Sequence, residues 1–236
     1  MTLVYYMLPA YNEEENLPDL LKAIAQVPIE YEIVLVNDGS SDRTGEIARE
    51  FAKEMPITVI DHDVNKGLGG ALRTGLIHIA REGKEDSAVV TMDSDLTHDP
   101  QLIVPMLKIL NSGYDIVVAS RYVAGGEQLN LPLSRRTLSW GINMLIRMKG
   151  SKVRDNTSGF RCIRYAVLKK AIEKFGGNFI NTREFTSAVL VLLRLQSVGA
   201  RPFEYPICLD YGLKRGASKM NVPRTIRAYL RLLLAN

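Results

Sequence analysis

Cysteine is scarce. The 236 residues hold two, Cys162 and Cys208, far apart and in no C-x-x-C or metal-ligand spacing. That excludes a disulfide framework and a structural zinc site, and predicts reduced thiols in a cytosolic compartment. Long apolar runs are lacking too, because Arg194 breaks the longest helical candidate and Arg231 interrupts the last. No stretch reaches the roughly 18 to 20 residues of a membrane span, so the chain as given is expected to touch a membrane at most from one side. The opening MTLVYYMLPAYNEEE has no basic segment and no cleavage site, which argues against a signal peptide. Charge of one sign is missing as well: 30 Lys and Arg against 26 Asp and Glu leave a net charge of +4. That balance speaks against a dedicated nucleic-acid binder, and any anionic ligand must be met by local clusters. Two nucleotide fingerprints are absent. No glycines follow the first strand, and no G-x-x-x-x-G-K-[ST] occurs, which excludes a dinucleotide oxidoreductase and a P-loop NTPase.

What is present is a chain 46% hydrophobic, long enough for a substantial single α/β core. Its first half repeats a β-branched run, a polar turn and an amphipathic helix. Strands are predicted over 3–8, 32–36, 57–60, 88–92 and 116–119. Helix starts are marked by Asn16 with Pro18 behind it, by Ser41 and Asp42, and by Asp99 before Pro100. The alternation predicts a Rossmann-like, mostly parallel sheet with helices on both faces over about the first 122 residues. Beyond Tyr122 the pattern changes to a Gly-containing loop, a helix from about Arg135 to Met148, then Asn156-Thr-Ser-Gly-Phe-Arg. A helix near Arg183 to Ser197, a strand over 203–209, a polar loop from Gly212 to Asn221 and a closing helix from Pro223 follow.

In an open parallel sheet, ligands sit outside the carboxyl ends of the strands. Three acidic segments fall there: Pro9-Ala-Tyr-Asn-Glu-Glu-Glu, Asn37-Asp38-Gly-Ser-Ser-Asp and Asp93-Ser-Asp95. Carboxylates gathered on one edge repel one another unless they serve donors or a cation. Asp93 and Asp95 can present hard oxygen ligands to Mg²⁺ or Mn²⁺, which would neutralise a departing diphosphate. An isolated D-x-D fits a strand end and a turn cap equally well. Asp38 lies where a ribose or base could be held, and its alternative role is turn formation. Asn65-Lys-Gly-Leu-Gly-Gly-Ala opens a helix whose amide end favours anions, with Lys66 beside it. His62 and His98 have no partner spacing for a metal and are read as structural.

Taken in order, Pro9-Ala-Tyr-Asn-Glu-Glu-Glu-Asn-Leu, Val36-Asn-Asp-Gly-Ser-Ser-Asp-Arg-Thr, Asn65-Lys-Gly-Leu-Gly-Gly-Ala, Met92-Asp-Ser-Asp-Leu-Thr-His-Asp-Pro and Ser120-Arg-Tyr resemble the GT-A fold family 2 glycosyltransferases. Thr157-Ser-Gly-Phe-Arg and Arg215-Gly-Ala-Ser-Lys resemble the dolichyl-phosphate mannose synthase branch and its polyprenyl-phosphate glucosyl relatives. The resemblance implies inverting, metal-dependent transfer of a hexose to a dolichyl or polyprenyl phosphate, with mannose from GDP-mannose first and glucose from UDP-glucose second. It implies that Pro9, Tyr11, Glu13 and Asp38 hold the nucleoside and that Asp93 and Asp95 face metal and diphosphate. Relatives often carry Gln two residues beyond the second Asp; here it is Thr97. The resemblance also implies that Arg121, Arg135 and Ser139 hold the acceptor phosphate, and the i, i+4 spacing of the last two puts them on one helix face. Arg135 also reads as a solvated charge at a helix start. The loop with Lys214, Arg215 and Lys219 resembles one that closes over the donor diphosphate, and a solvated basic loop is its bland alternative. Glu184 sits where relatives carry an acidic residue.

The implied organisation is one domain over 1–221, with a nucleotide-sugar half at 1–122 and an acceptor half at 123–221, followed by an amphipathic membrane-proximal helix at 222–236. In that helix Ile226, Tyr229, Leu230 and Leu233 share one face, while Arg224, Arg227 and Arg231 share another. The expected place is peripheral, on the cytoplasmic side of a membrane, or held there by segments outside this chain, with room for a membrane subunit. Two rivals stand beside this reading. Asp93-Ser-Asp-Leu-Thr also satisfies the D-x-D-x-T pattern of haloacid dehalogenase-like phosphohydrolases. A catalytically silent nucleotide-sugar-binding subunit is the other.

Overall fold

The computed structural model of the chain describes residues 2–184, 186–213, 225–229 and 231. Its first half alternates strand and helix: β1 (Val4–Ala10), α1 (Leu17–Ala25), β2 (Tyr31–Asn37), α2 (Thr44–Phe51), β3 (Ile57–Asp61), α3 (Gly67–Glu82), β4 (Ala88–Thr91), α4 (Ile103–Asn111) and β5 (Ile116–Ser120). The second half adds β6 (Glu127–Leu129), α5 (Leu133–Met148), β7 (Arg161–Arg164), α6 (Tyr165–Phe175), α7 (Thr186–Ser197), β8 (Pro202–Pro206) and β9 (Cys208–Asp210). Seven strands form one sheet in the order β3-β2-β1-β4-β7-β5-β8, and β6 pairs with β9 in a small second sheet. All pairings in the large sheet are parallel except those of β7, which runs antiparallel to both β4 and β5.

The two-residue period of β1 divides the core. Val4, Tyr6 and Leu8 face the helices α1, α2 and α4, whereas Leu3, Tyr5 and Met7 face α3, α6 and α7. Helix α1 buries Leu17, Leu20, Leu21 and Ile24, at i, i+3, i+4 and i+7, so a single stripe attaches it to the sheet. Each such side chain contributes about 1.5 to 3 kcal/mol of transfer free energy. The register brings Ala10 level with Asn37, so the chain leaves β1 and β2 at one height and delivers Tyr11 and Asp38 to the same edge.

Several local expectations are corrected. Asn16 does not cap α1 with its side chain; its Nδ2 instead donates to Glu13 Oε2 at 2.8 Å. Asp42 serves the start of α2, accepting from Thr44 N at 3.0 Å. Asp99 does cap, accepting from Gln101 N at 2.9 Å at the head of a 3-10 turn. The strand expected over 203–209 is two strands in different sheets. β8 ends at Pro206, where Ile207 N makes the last ladder bond to Ser120 O, and Ile207 O accepts from Glu127 N as the chain passes to the small sheet. Strand β7 went unpredicted because arginines stand at both its ends, and Arg161 is fully buried. Its Nη1 donates to Ala188 O and its Nη2 to Asn156 O, and burial pulls its pKa down to about 10.

Only part of the closing helix falls within the described residues. Residues 225–229 and 231 are helical. Thr225 and Tyr229 are buried and Arg227 and Arg231 exposed, with Tyr229 packed among Ile142, Ile146 and Val189. The Tyr229 side of that helix therefore packs on the domain. Arg224, Leu230 and Leu233 lie outside the described residues, as do Lys214, Arg215 and Lys219. No helix among the described residues is long and apolar enough to cross a membrane. Cys162 and Cys208 are unpaired, and burial pushes the Cys162 thiol up to about 12.

Candidate active site

A cavity of about 640 Å³ opens along the carboxyl ends of β1, β2, β4 and β5. It is lined by Pro9, Tyr11, Glu13, Asp38, Asp93, Asp95, Arg121, Arg135 and Ser139, so nearly every candidate named from the sequence meets in one place. Among the described candidates Lys66 is the exception. Its side chain is exposed and away from the lining, while its backbone N–H donates to Asp38 Oδ1 at 2.9 Å.

The amide end of α3 is also less open than expected. The chain at Thr182 and Arg183 lies across it, with Gly69 N donating to Arg183 O at 3.4 Å and Arg183 Nη2 donating to Asn65 O at 2.6 Å. The glycines make this approach possible. A Cβ on Gly69 would stand 1.8 Å from Thr182 O, and one on Gly67 would stand 2.4 Å from Arg183 O.

The acidic side is built from loop hydrogen bonds. Glu13 N donates to Thr44 Oγ1 at 2.7 Å, and Ser94 Oγ donates to Pro9 O at 2.9 Å, tying the turns after β1, β2 and β4 together. Thr97 Oγ1 donates to Asp95 Oδ1 at 2.6 Å, so the residue where relatives often place Gln orients the second Asp. His98 Nδ1 accepts from Asp93 N at 3.1 Å while its ring stacks on Phe160, which gives it the structural role expected. Two neighbouring carboxylates suit a hard cation. Among the described residues no cluster of three or more His, Cys, Asp or Glu forms a protein cage. That donor set fits Mg²⁺ or Mn²⁺, which keep waters and share phosphate oxygens, better than a soft or fully caged metal.

The basic side holds the largest departure from expectation. Arg121 is not simply offered to a ligand. Its Nε and Nη2 donate to the two oxygens of Asp155, both at 2.7 Å, and its Nη1 donates to Tyr211 Oη at 2.9 Å. Burial pushes the Asp155 carboxyl up, but the Arg121 charge and hydrogen bonds outweigh it and hold that carboxyl below its ordinary range. Arg121 still reaches the cavity wall, in a fixed pose. Asp155 was missed because it carries no motif by itself. The available signal was that an arginine at the end of an interior strand demands a carboxylate partner. Arg135 and Ser139 stand one turn apart on the inner side of α5, and Ser139 Oγ accepts from Tyr122 Oη at 2.9 Å. Glu184 lines the same cavity.

A family model described as glycosyl transferase family 2 matches residues 6–175. The chain belongs to that family. It is 36% identical over 234 residues to a dolichol-phosphate mannosyltransferase of Pyrococcus furiosus, covering 97% of this chain and 62% of the relative. The chain thus spans under two thirds of that protein's length. A polyprenol monophosphomannose synthase of Mycolicibacterium smegmatis is 37% identical over 218 residues, covering 91% of this chain and 80% of the relative. Among solved structures, the mannosyltransferase PcManGT from Pyrobaculum calidifontis, in complex with GDP-Man and Mn²⁺, superposes with a TM-score of 0.62 at 15% identity. That match covers 99% of this chain and 64% of the other. The fold of this family 2 glycosyltransferase is thereby the GT-A type, a single mostly parallel α/β unit. The phosphohydrolase reading of Asp93 is left without support.

Proposed function

We propose that this family 2 glycosyltransferase moves a mannosyl group from GDP-mannose to a dolichyl or polyprenyl phosphate, with inversion, at the cytoplasmic surface of a membrane. The observation that carries this reading is the division of one cavity into a carboxylate side, Asp38, Asp93 and Asp95, and an arginine side, Arg121 and Arg135. Pro9, Tyr11, Glu13 and Asp38 hold the nucleoside. Asp93 and Asp95 hold Mg²⁺ or Mn²⁺, which when bound would neutralise charge on the leaving diphosphate. Arg121, Arg135 and Ser139 hold the acceptor phosphate, and the resemblance assigns Arg215 and Lys219, outside the described residues, to the donor diphosphate. The acceptor is already ionised at neutral pH, so its oxygen attacks the anomeric carbon without a general base. The bond from that carbon to the diphosphate breaks and the nucleoside diphosphate leaves. UDP-glucose is the second donor to test, because the Thr157-Ser-Gly-Phe-Arg and Arg215-Gly-Ala-Ser-Lys motifs also resemble those of polyprenyl-phosphate glucosyl relatives.

Arg135→Ala is expected to raise the apparent KM for polyprenyl phosphate about tenfold or more, the worth of a charge-assisted hydrogen bond, while the KM for GDP-mannose stays within about twofold. An equal loss toward both substrates would place Arg135 on the donor side.

A lipid acceptor requires the cavity to meet a bilayer, and α5 supplies the surface. While Arg135, Leu138, Ser139 and Ile142 face the cavity, Leu133, Trp140, Met144 and Met148 are exposed on the other side. From Gln128 to Arg154 the chain carries six Lys and Arg and no Asp or Glu, and Arg136, Arg147 and Lys149 are exposed on α5 or at its end. An apolar stripe flanked by cations suits an anionic interface. The membrane contact is thus proposed for α5 in place of the closing helix. Trp140 is the single tryptophan of the chain, so its emission reports this face alone. Anionic vesicles are expected to shift that emission to the blue and protect it from iodide, with reversal at high salt. An unchanged spectrum with no co-sedimentation would move the contact elsewhere.

A further inference from the structure

His62 was read from the sequence as a structural histidine, but its partners tie it to the donor side of the cavity. It is buried at the end of β3, its side chain 3% exposed against 4% for Asp38, and its Nδ1 lies 2.6 Å from Asp38 Oδ1. Its Nε2 lies 2.9 Å from Thr74 Oγ1 on α3. An ionised Asp38 can only accept, so Nδ1 donates to it, and the Thr74 hydroxyl pairs with Nε2 as donor or acceptor. Lys66 N also donates to Asp38 Oδ1, at 2.9 Å. Both bonds converge on one oxygen, and among the described residues no hydrogen bond falls on Oδ2. Asp38 nonetheless lines the cavity while almost wholly buried. One oxygen is anchored and the other is left for a ligand that donates.

We propose that His62 is a positioning residue for the donor: it locks the Asp38 carboxylate so that Oδ2 is presented, already oriented, to an N–H or O–H of the nucleoside. The reason lies in preorganisation. A free carboxylate at a strand end samples several rotamers and must be ordered when the ligand arrives, which weakens binding. The strut Thr74–His62–Asp38 runs from α3 through the end of β3 to the end of β2, so this ordering is built in on folding. The same bonds hold the 62–66 turn against Gly39, where a Cβ would stand 2.6 Å from Asn65 N. An acceptor-only oxygen selects for the donor edge of a base or a ribose hydroxyl and against a bare phosphate.

This inference rests on the reading of Asp38 as a nucleoside contact, and a double-mutant cycle separates the two. Binding of GDP and of UDP to the whole chain is measured by calorimetry for wild type, His62→Ala, Asp38→Ala and the double variant, with thermal melts alongside. His62→Ala is expected to weaken the tighter nucleotide about tenfold in the wild-type background, the scale of one oriented hydrogen bond, and less than about twofold when Asp38 is already Ala. His62→Asn, whose amide can still donate to Asp38, is expected to recover binding to within about threefold of wild type and serves if the alanine variant folds poorly. Independent, additive losses, or a lowered melting point with unchanged nucleotide affinity, would overturn the role of His62 and leave Asp38 as a contact. A wild-type chain that binds neither nucleotide would overturn the donor reading and the role of His62 with it.

Discussion

Asp95→Asn is expected to lower turnover at least about a hundredfold with the fold intact, since a bound cation stabilises charge worth several kcal/mol at the leaving group and each 1.36 kcal/mol is tenfold in rate. The substitution is clean for a local reason. Thr97 donates to Asp95 Oδ1 through both its hydroxyl and its backbone N–H, and an asparagine carbonyl oxygen can accept the same two bonds. What changes is the charge, so cation affinity falls while the turn persists. Excess chelator should imitate the variant, and added Mn²⁺ should restore the wild type. Full activity in Asp95→Asn, or undiminished activity in chelator, would remove the metal from the mechanism.

The second large effect is on stability. Asp155→Ala leaves the Arg121 guanidinium buried without its counter-charge, and breaking a buried pair from one side costs about 3 to 5 kcal/mol. In a domain of this size each kcal/mol is worth roughly 2 to 4 °C, so the melting point should fall on the order of 10 °C. The pH dependence follows from the sign of the shift. The folded protein holds the Asp155 carboxyl below its ordinary value of 3.8, so its stabilisation is present above about pH 4 and lost as pH falls through the lower folded value. The gap between wild type and variant should therefore narrow in acid. A melting point within about 2 °C of wild type at neutral pH would show that Arg121 finds other support, for which Tyr211 and Thr157 are the candidates.

How legible the molecule was depends on which force set each feature. The first five strands are found within two residues of their expected places, because each is a β-branched run bounded by polar turns. Their loops carry the acidic motifs, and strand polarity alone brings Tyr11, Asp38, Asp93 and Asp95 to one edge. Legibility fails where a polar group is buried by design. Arg161 hid β7, because an arginine breaks the apolar pattern even when the fold encloses it. Asp155 and His62 make their contacts across 34 and 24 residues of sequence, and neither pairing has a local spacing to betray it. Lys66 differs in another sense: beside the glycines its backbone N–H makes the contact to Asp38, while its side chain is exposed. The closing helix expected at 222–236 is described only over 225–229 and 231, where Tyr229 packs against α5 and α7, and periodicity does not distinguish a domain surface from a lipid one.

The central claim is donor-dependent transfer to a lipid phosphate, and one incubation tests it most directly. The chain is mixed with GDP-mannose radiolabelled in the sugar, Mg²⁺ or Mn²⁺ and a short polyprenyl phosphate, and label is followed into the organic phase. Label is expected to enter the lipid only when the polyprenyl phosphate is present, and to fall with Arg135→Ala and Asp95→Asn. Were no lipid labelled from GDP-mannose or from any other sugar nucleotide, with the chain folded and GDP bound, the assignment of the arginine side to a lipid phosphate would be wrong.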